Sequence, residues 1–385
     1  MDQCKKKIAI INHWMVNNYG ALFLAYALER KILEMGYDVE TISWLPDEVR
    51  KPWKLSMLRK IGPIQYLMRL GYFLVFIIPR QNSFSCFRSQ IHKSKQQYND
   101  RSLYEIRECY DTFVIGGDQL WNCKKNYYNE NNFLPFICES KRKVVYAASL
   151  SLNYLPKEVE STFRHLAGDF GYITAREERG REIIEQTTGR KAYRVSDPAF
   201  LLSEDEWLKL SRPVKGIKNK FVFVYQVQSD VLLIRFAESI AKKHNLDIVY
   251  CPFPLKKQIA CKRYPFLSPE QWLWCVKNAE YVVTDAFHGT VFSIIFNRDF
   301  FVEISEYGKD TGSRITNILD IYSLQDRLIS EENWRKKLEI GKICFEPVNQ
   351  IINSEKLEAE RHLINMLGMV MKTDSTETVR GGGGK

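Results

Sequence analysis

Short apolar runs alternate with amphipathic stretches along most of the chain, and this alternation constrains the fold more than any other feature of the sequence. The run Lys7–Ile11 suits a buried parallel strand. Apolar residues then recur at helical spacing over residues 21–35, and Gly36 stands where a glycine commonly ends a helix, before a predicted strand over 37–44. Such a β-α-β start predicts an open parallel sheet. It lacks the G-x-G-x-x-G spacing, so no dinucleotide cofactor is predicted.

The alternation continues on both sides of residues 210–220, a stretch whose Lys, Ser, Gly and Pro content is typical of a linker. Further strands are predicted over 112–115, 144–148, 172–175, 192–195, 221–227, 247–251, 281–284 and 300–303. A chain of 385 residues is long enough for two cores. We therefore predict an α/β protein with two Rossmann-like domains, 1–212 and 213–371, which flank a cleft and are followed by a disordered tail, 372–385.

The N-terminal sequence and the cysteines indicate the compartment. The first apolar run covers only residues 8–11, which is too short for the apolar region of a signal peptide. The nine cysteines are an odd number and include no Cys-x-x-Cys pair. We therefore predict a cytoplasmic protein with reduced thiols, without a disulfide framework and without a metal site.

An excess of positive charge predicts an anionic partner. The formal net charge is +10 at pH 7, which would attract nucleic acid, an anionic membrane surface or a phosphorylated small molecule. Lys and Arg are spread along the chain, however, and the sequence has no zinc-finger, RRM, KH or homeodomain pattern. We therefore predict that nucleic acid is not a partner.

Residues 61–78 form an apolar segment framed by basic residues. Gly62, Pro63 and Gly71 interrupt it, and at about eighteen residues it is marginal for spanning a bilayer of roughly 30 Å. Two interpretations stay open. The surrounding region, about 50–95, is either a helical insertion packed on the N-terminal domain or an interfacial helix in peripheral contact with the anionic inner face of the cytoplasmic membrane.

A histidine follows the predicted strand over 281–284. The sequence presents Asp285 and His288 in a turn, and Gly289 with Thr290 would open an apolar helix. Backbone N–H groups at a helix start bind phosphate or carboxylate, and a histidine near an anion is a candidate general acid. The alternative is a capping or core histidine that is hydrogen-bonded to Asp285.

Two arginines occupy positions from which a side chain could bind an anion. Arg176 follows a predicted strand and precedes a helix, and Arg314 lies just inside a later helix. A salt bridge from Arg176 to Glu177 or Glu178 is the competing interpretation.

A strand that ends in two glycines is a candidate sugar site. Gly116 and Gly117 permit close backbone approach, and Asp118, Trp121 and Asn122 follow them. Asp and Asn form hydrogen bonds with sugar hydroxyls, and Trp stacks on sugar rings. A structural turn would explain the glycines equally well.

Taken in order, these motifs resemble the polysaccharide pyruvyl transferase family from about Lys7 to Leu328. They are Asn18-Tyr19-Gly20-Ala21, Gly116-Gly117-Asp118 with Trp121-Asn122, Ala175-Arg176-Glu177-Glu178, Asp197-Pro198 ahead of Glu206-Trp207, Thr284-Asp285-Ala286-Phe287-His288-Gly289-Thr290, and Ser313-Arg314. The resemblance implies a GT-B-like fold, in which the parallel sheets of two Rossmann-like domains face a central cleft. It also implies phosphoenolpyruvate as a co-substrate, with no cofactor, and a pyruvate ketal on two hydroxyls of a sugar as the product.

The implied acceptor is a hexose such as galactose, in a capsular or exopolysaccharide repeat carried on a lipid diphosphate. An alternative function is a GT-B glycosyltransferase with a nucleotide-sugar donor, because the same fold and the same helix start would serve a diphosphate.

The resemblance implies roles for individual residues as well. His288 would be the general acid, and Asp118 would accept the proton of a sugar hydroxyl. The donor side would comprise Arg176, Arg314, Gly289, Thr290 and Asp285, with the two arginines on the carboxylate and the phosphate. The acceptor side would comprise Asn17, Asn18, Tyr19, Gly20, Gly116, Gly117, Trp121 and Asn122. Some family members have a basic residue directly before the histidine, where this chain has Ala286 and Phe287, so the donor's charge would depend more on Arg176 and Arg314.

Overall fold

Two parallel sheets, of seven and five strands, organise the part of the chain that the structure describes. The structure is a computed structural model that describes residues 6–50, 68, 70–124, 128–228, 231–252, 261, 263–304 and 313–371. The described residues within Met1–Trp53, Ile91–Leu201 and Asn353–Lys385 form a first compact unit, and those within Lys54–Gln90 and Leu202–Ile352 form a second.

Strands and helices alternate along most of the described chain. The strands are β1 (Lys7–Ile11), β2 (Asp38–Trp44), β3 (Lys93–Tyr98), β4 (Thr112–Gly116), β5 (Lys143–Ala148), β6 (Tyr172–Ala175), β7 (Tyr193–Arg194), β8 (Phe221–Gln226), β9 (Asp247–Pro252), β10 (Tyr281–Thr284), β11 (Phe300–Glu303) and β12 (Leu328–Ile329). The helices are α1 (Tyr19–Glu34), α2 (Asp47–Arg50), α3 (Ile78–Arg88), α4 (Lys157–Gly168), α5 (Glu178–Thr188), α6 (Glu204–Leu208), α7 (Val231–His244), α8 (Pro269–Asn278), α9 (Phe287–Ile295), α10 (Ser313–Ile321), α11 (Trp334–Lys337) and α12 (Phe345–Met371). A π-helical turn, Phe73–Ile77, leads into α3, and short 3-10 helices lie at Ser102–Ile106, Glu130–Phe133, Ser140–Arg142, Pro198–Leu201 and Gln325–Arg327.

The first unit has the strand order β3-β2-β1-β4-β5-β6-β7, and every pairing is parallel. Successive side chains of a strand point to opposite faces. Ile8 and Ile10 therefore pack on one face with Leu363 of α12, whereas Ala9 and Ile11 pack on the other face with Phe163 of α4. Both faces are covered, which explains why β1 is apolar throughout rather than alternating.

The second unit has the strand order β12-β11-β10-β8-β9, again with parallel pairings. Val222 and Val224 of β8 pack with Phe236 of α7 on one face. On β8 as well, the ring of Phe223 lies 6.2 Å from that of Trp272 in α8. This sheet too is buried between helices, as the apolar runs predicted.

The units divide the chain differently from the predicted ranges 1–212 and 213–371. The chain passes from one unit to the other between Leu201 and Leu202. Trp207 already packs on Phe292 of the second unit, with ring centroids 5.0 Å apart. The linker-like residues 210–220 lie inside the second unit, where the Arg212 amide donates to the Glu270 carbonyl at 3.0 Å. The polar composition of residues 210–220 therefore marks a surface loop of the second unit rather than a linker between domains.

The C-terminal helix α12 also departs from that division, because its residues from Asn353 onward belong to the first unit. Ala359, Leu363 and Met366 are buried against the first sheet, and Lys31 of α1 forms a 2.6 Å ion pair with Glu360. The predicted tail, 372–385, lies outside the described residues.

Of the basic apolar insertion predicted over about 50–95, the structure describes Arg50, Met68 and residues 70–95. Its described helical part belongs to the second unit rather than to the first. The Arg80 guanidinium donates to the Pro265 carbonyl at 3.1 Å, and the rings of Phe76 and Phe266 lie 6.3 Å apart. Among the described residues, no helix is both long and apolar enough to cross a membrane.

Candidate functional site

Both sheets have a topological switch point at their carboxyl edge, where ligands of open α/β folds usually bind. In the first unit the strand order changes direction between β1 and β4, and in the second between β8 and β10. Some of the predicted site residues follow one strand of each switch point. Asp118 comes after β4, and Asp285 with His288 comes after β10. Each unit thus has its own half site.

Asp285 ties together the two strand ends of the second switch point. Its carboxylate accepts hydrogen bonds from the backbone N–H of Val227 at 2.6 Å and from that of Gln228 at 2.7 Å, directly after β8. Charge-assisted bonds of this kind are stronger than neutral ones. Asp285 therefore shapes the loop after β8, whereas its contact with the donor and a hydrogen bond to His288 stay predictions.

Gly289 and Thr290 lie in the first turn of helix α9, which begins at Phe287, earlier than predicted. A Cβ atom at Gly289 would run into the Thr284 side chain, so glycine lets the helix approach the end of β10 closely. The Thr290 amide and hydroxyl both donate to the Ala286 carbonyl, at 3.2 and 3.4 Å. The predicted N–H donor at Thr290 is thus already used inside the helix, whereas the amide of Gly289 precedes the first intrahelical bond.

His288 and Arg314 meet at Phe287. The imidazole of His288, which is 9% exposed, contacts the Phe287 ring edge-on with centroids 5.2 Å apart. The Arg314 guanidinium lies over the same ring, 5.2 Å from its centroid, in cation–π geometry. The amino end of α9 adds the positive end of a helix dipole. The second unit therefore collects a histidine, an arginine and a helix start, a combination that suits an anion.

A second cation, which the sequence did not indicate, influences this half site. Burial raises the pKa of the Tyr225 phenol, and the nearby Asp285 carboxylate adds to that, whereas the charge of Arg80 opposes it. Tyr225 is next to β10, because its carbonyl accepts a hydrogen bond from the Thr284 hydroxyl at 2.7 Å. Arg80 is remote in sequence from these residues, so local patterns could not have linked it to the site.

In the first half site, a histidine accompanies Asp118. His13 lies two residues after the end of β1 and is buried. Burial lowers the pKa of His13 to about 4, although the Asp118 charge, a hydrogen bond with Asn132 and the Asp100 charge act in the opposite direction. The imidazole is therefore neutral at pH 7. Its position at a strand end was the one sequence signal for it, and His13 was not among the predicted site residues.

Arg176 is paired with two buried carboxylates. Its guanidinium contacts Glu177 Oε1 at 3.1 Å and Asp197 Oδ2 at 2.6 Å. Burial alone would lower the pKa of Arg176, but the charges of Glu177, Asp197 and Asp118 outweigh it and raise that pKa. One guanidinium among three carboxyl groups does not favour an anion. This pairing argues against the prediction that Arg176 binds the donor, and it realises the competing salt bridge to Glu177.

Trp121 lies in the core of the first unit. It is fully buried, with its ring stacked on Phe133 at 5.0 Å and in edge contact with Phe170 at 5.3 Å. Its indole N–H donates to the Asn132 carbonyl at 3.2 Å. Asn122 is buried as well, and its side-chain oxygen accepts the Lys124 amide at 3.0 Å. A sugar would not reach the Trp121 ring, which corrects the predicted stacking role.

The glycines at the end of β4 allow helix α1 to pack closely. A Cβ atom at Gly116 would run into Leu28, and one at Gly117, where φ is +65°, would lie 2.7 Å from Leu24 Cδ1. The first turn of α1 is structural too. Asn18 caps the helix by accepting the Ala21 amide at 3.1 Å, and the remaining predicted residues of this loop are Asn17, which is half-buried, and Tyr19 and Gly20, which are buried.

The structure thus separates the predicted site residues into two groups. His288, Arg314, Asp285, Gly289 and Thr290 belong to the second unit, whereas Asp118, Arg176 and the predicted acceptor residues belong to the first. Within the described ranges, no group of three or more His, Cys, Asp or Glu side chains could hold a metal ion.

Both the sequence and the structure resemble those of known proteins. Residues 18–303 match the family model described as polysaccharide pyruvyl transferase. No curated protein sequence matches the chain.

Among solved structures, UDP-GlcNAc 2-epimerase from Methanocaldococcus jannaschii is similar with a TM-score of 0.51 and 12% identity, covering 90% of this chain and 99% of that one. The same enzyme from Rickettsia bellii has a TM-score of 0.45 and 11% identity, covering 95% and 98%. An alpha-glucosyltransferase in complex with UDP and DNA has a TM-score of 0.48 and 10% identity, covering 95% and 100%. At these identities the likeness concerns the fold alone, and the first of them, together with the two parallel sheets, confirms the predicted GT-B-like class.

Proposed function

Because the chain belongs to the polysaccharide pyruvyl transferase family, we propose that it transfers pyruvate from phosphoenolpyruvate to two hydroxyls of a sugar and forms a ketal. The observation that carries this proposal is the meeting of His288 and Arg314 at Phe287, at the amino end of α9. A proton donor beside a cation and a helix start is what an anionic enol phosphate requires.

The chemistry assigns a proton to each step. His288 gives a proton to the methylene carbon of phosphoenolpyruvate, which becomes the methyl group and leaves an oxocarbenium-like centre at C2. One sugar hydroxyl adds to C2 and loses its proton to Asp118. The second hydroxyl then displaces phosphate from C2, and its proton leaves with the phosphate. Solvent carries the proton from Asp118 back to His288.

Arg314 and the amide of Gly289 are the donor-binding groups in this proposal. The guanidinium of Arg314 lies over the Phe287 ring, 5.2 Å from its centroid, and a guanidinium binds a carboxylate or a phosphate bidentately. Phe287 stands where some family members have a basic residue. Arg314 supplies from α10 the charge that such a residue would bring.

Asp118 is the proposed base of the first unit, and the neutral imidazole of His13 is its neighbour. The carboxyl-rich surroundings of Arg176 suit a hydroxyl-bearing acceptor better than an anionic donor. We therefore assign Arg176 to holding Glu177 and Asp197 in place. The participation of both half sites in one reaction rests on the family membership.

The finer features of the acceptor rest on the family resemblance. They are a hexose such as galactose, a lipid diphosphate carrier and a role in capsular or exopolysaccharide biosynthesis. Mass spectrometry of products from phosphoenolpyruvate and a panel of lipid-linked saccharides tests them directly. A gain of one pyruvate less one water, with release of phosphate, supports the proposal. Turnover with nucleotide-sugars in place of phosphoenolpyruvate would instead favour the glycosyltransferase alternative.

The role of His288 is tested by His288→Gln. We expect turnover to fall by about 10²–10⁴-fold, because a positioned acid contributes that much, while phosphoenolpyruvate still binds. His244→Gln is the matched control, since His244 is an exposed histidine of the same unit. Near wild-type turnover of His288→Gln would show that another group protonates the donor.

A further inference from the structure

Five large apolar side chains of the second unit point into water before helix α3. They are Met68, Leu70, Tyr72, Leu74 and Val75, which are 71, 41, 44, 54 and 56% exposed. We call these five residues the apolar ridge. Soluble proteins expose single apolar side chains routinely, whereas a large exposed apolar area marks a contact with a protein or a membrane.

The ridge is mounted on a well-packed base. Phe84 and Phe87 of α3 are fully buried, and the Arg80 guanidinium lies over the Phe84 ring at 5.3 Å while it bonds the Pro265 carbonyl. Phe76, between the ridge and α3, contacts the Phe266 ring. The helical segment that follows the ridge is therefore packed into the second unit.

The charge of the surrounding sequence identifies the occupant. Residues 49–99 contain ten Lys or Arg and no Asp or Glu, so this segment accounts for the entire formal net charge of +10. Five of these basic residues lie outside the described residues and are adjacent to the ridge in the sequence alone: Lys51, Lys54, Arg59, Lys60 and Arg69. Apolar side chains in a segment whose charged residues are all basic are complementary to a surface that is anionic and has an apolar layer beneath it.

We propose that the ridge docks on an anionic lipid bilayer, with its side chains in the boundary between headgroups and acyl chains. A second copy of the chain fits less well, because two segments without a single acidic residue would repel each other. The proposal does not rest on the proposed reaction, since docking requires neither donor nor acceptor.

Vesicle co-sedimentation of the full-length protein tests the proposal. We expect binding to vesicles of phosphatidylglycerol and phosphatidylcholine, weak binding to phosphatidylcholine alone, and a decrease as salt is raised. The double variant Leu74→Ser/Val75→Ser should bind anionic vesicles roughly tenfold or more weakly, because two apolar side chains no longer enter the lipid.

A matched control comes from α12, where Leu357 and Ile364 are exposed to 65 and 58%. Leu357→Ser/Ile364→Ser removes a similar apolar area elsewhere and should bind vesicles like the wild type. The proposal is overturned if the wild type binds neutral vesicles equally well, or if both double variants lose binding alike. It is also overturned if sedimentation velocity shows a dimer that only Leu74→Ser/Val75→Ser dissociates, since the ridge would then contact a second copy. Pyruvyl transfer to a water-soluble acceptor should be unchanged in Leu74→Ser/Val75→Ser, so a failure of docking and a failure of the proposed reaction give different results.

Discussion

The neutral, buried imidazole of His13 makes the stability of the first unit depend on pH in a defined direction. Burial lowers the pKa of His13 from 6.5 to about 4. In the unfolded chain the imidazole has its ordinary pKa and binds a proton below pH 6.5, whereas in the folded chain it binds one only near pH 4. The unfolding free energy therefore has its full value above pH 6.5. It decreases as the pH falls toward 4, because the unfolded chain binds the proton first.

The magnitude follows from the same two values. A shift from 6.5 to about 4 corresponds to about 3 kcal/mol of unfolding free energy when the pH is below both values. Between pH 7 and pH 5, the linkage relation gives a loss of about 2 kcal/mol from this one group. Most carboxyl groups change protonation little over that interval, which makes it the useful window.

The measurement is urea unfolding of the wild type and of His13→Gln at pH 7 and pH 5, followed by tryptophan fluorescence. Glutamine can still form a hydrogen bond with Asn132 but does not titrate. We expect the unfolding free energy of the wild type to fall by about 2 kcal/mol more than that of His13→Gln between the two pH values. His165→Gln, which changes an exposed histidine of the same unit, should keep the pH dependence of the wild type.

Two results would refute this reasoning. If the wild type and His13→Gln lose equal stability on acidification, His13 titrates normally in the folded chain. If the wild type gains stability relative to the variant at pH 5, the imidazole is protonated and paired with Asp118, and the attraction of that carboxylate outweighs burial.

Other predictions concern the two half sites. Asp285→Asn should lower the unfolding free energy by about 1–3 kcal/mol and raise the KM for phosphoenolpyruvate, because the bonds to Val227 and Gln228 lose their charge; calorimetry and steady-state kinetics measure both, and an unchanged KM would disconnect this loop from the donor. Gly289→Ala should cost about 1–3 kcal/mol in thermal unfolding, since its Cβ meets Thr284, and a stability equal to the wild type would contradict the close approach. Trp121→Phe should leave the acceptor KM unchanged, whereas Trp121→Ala should cost about 3–5 kcal/mol; a raised KM in Trp121→Phe would restore a sugar-binding role for the indole.

The two half sites differ in charge. In the first unit, Arg176 is surrounded by carboxyl groups, and a neutral imidazole lies near Asp118. In the second, Arg314 and the amino end of α9 are beside His288. This contrast is the basis for proposing that the anionic donor binds in the second unit and that Arg176 holds Glu177 and Asp197 in place.

Elements with strong local signals were predictable from the sequence. The strands β1, β6, β10 and β11 have their predicted limits, because each is an apolar run bounded by turn residues and is buried on both faces. The edge strand β3, with the sequence KSKQQY, was missed since only Ser94 and Tyr98 are buried and its polar side chains hide the strand pattern.

The sequence alone determined the fold class, the order of the motifs and the family, since these depend on local periodicity and on short runs of residues. Tertiary structure alone decided what each polar side chain contacts. The partners of Arg176 include Asp197, 21 residues away, and Phe287 is joined to Arg314 across two helices. Trp121 sits in an aromatic core that no spacing announces. Burial and pairing over long separations set pKa and accessibility, and a linear pattern does not contain them.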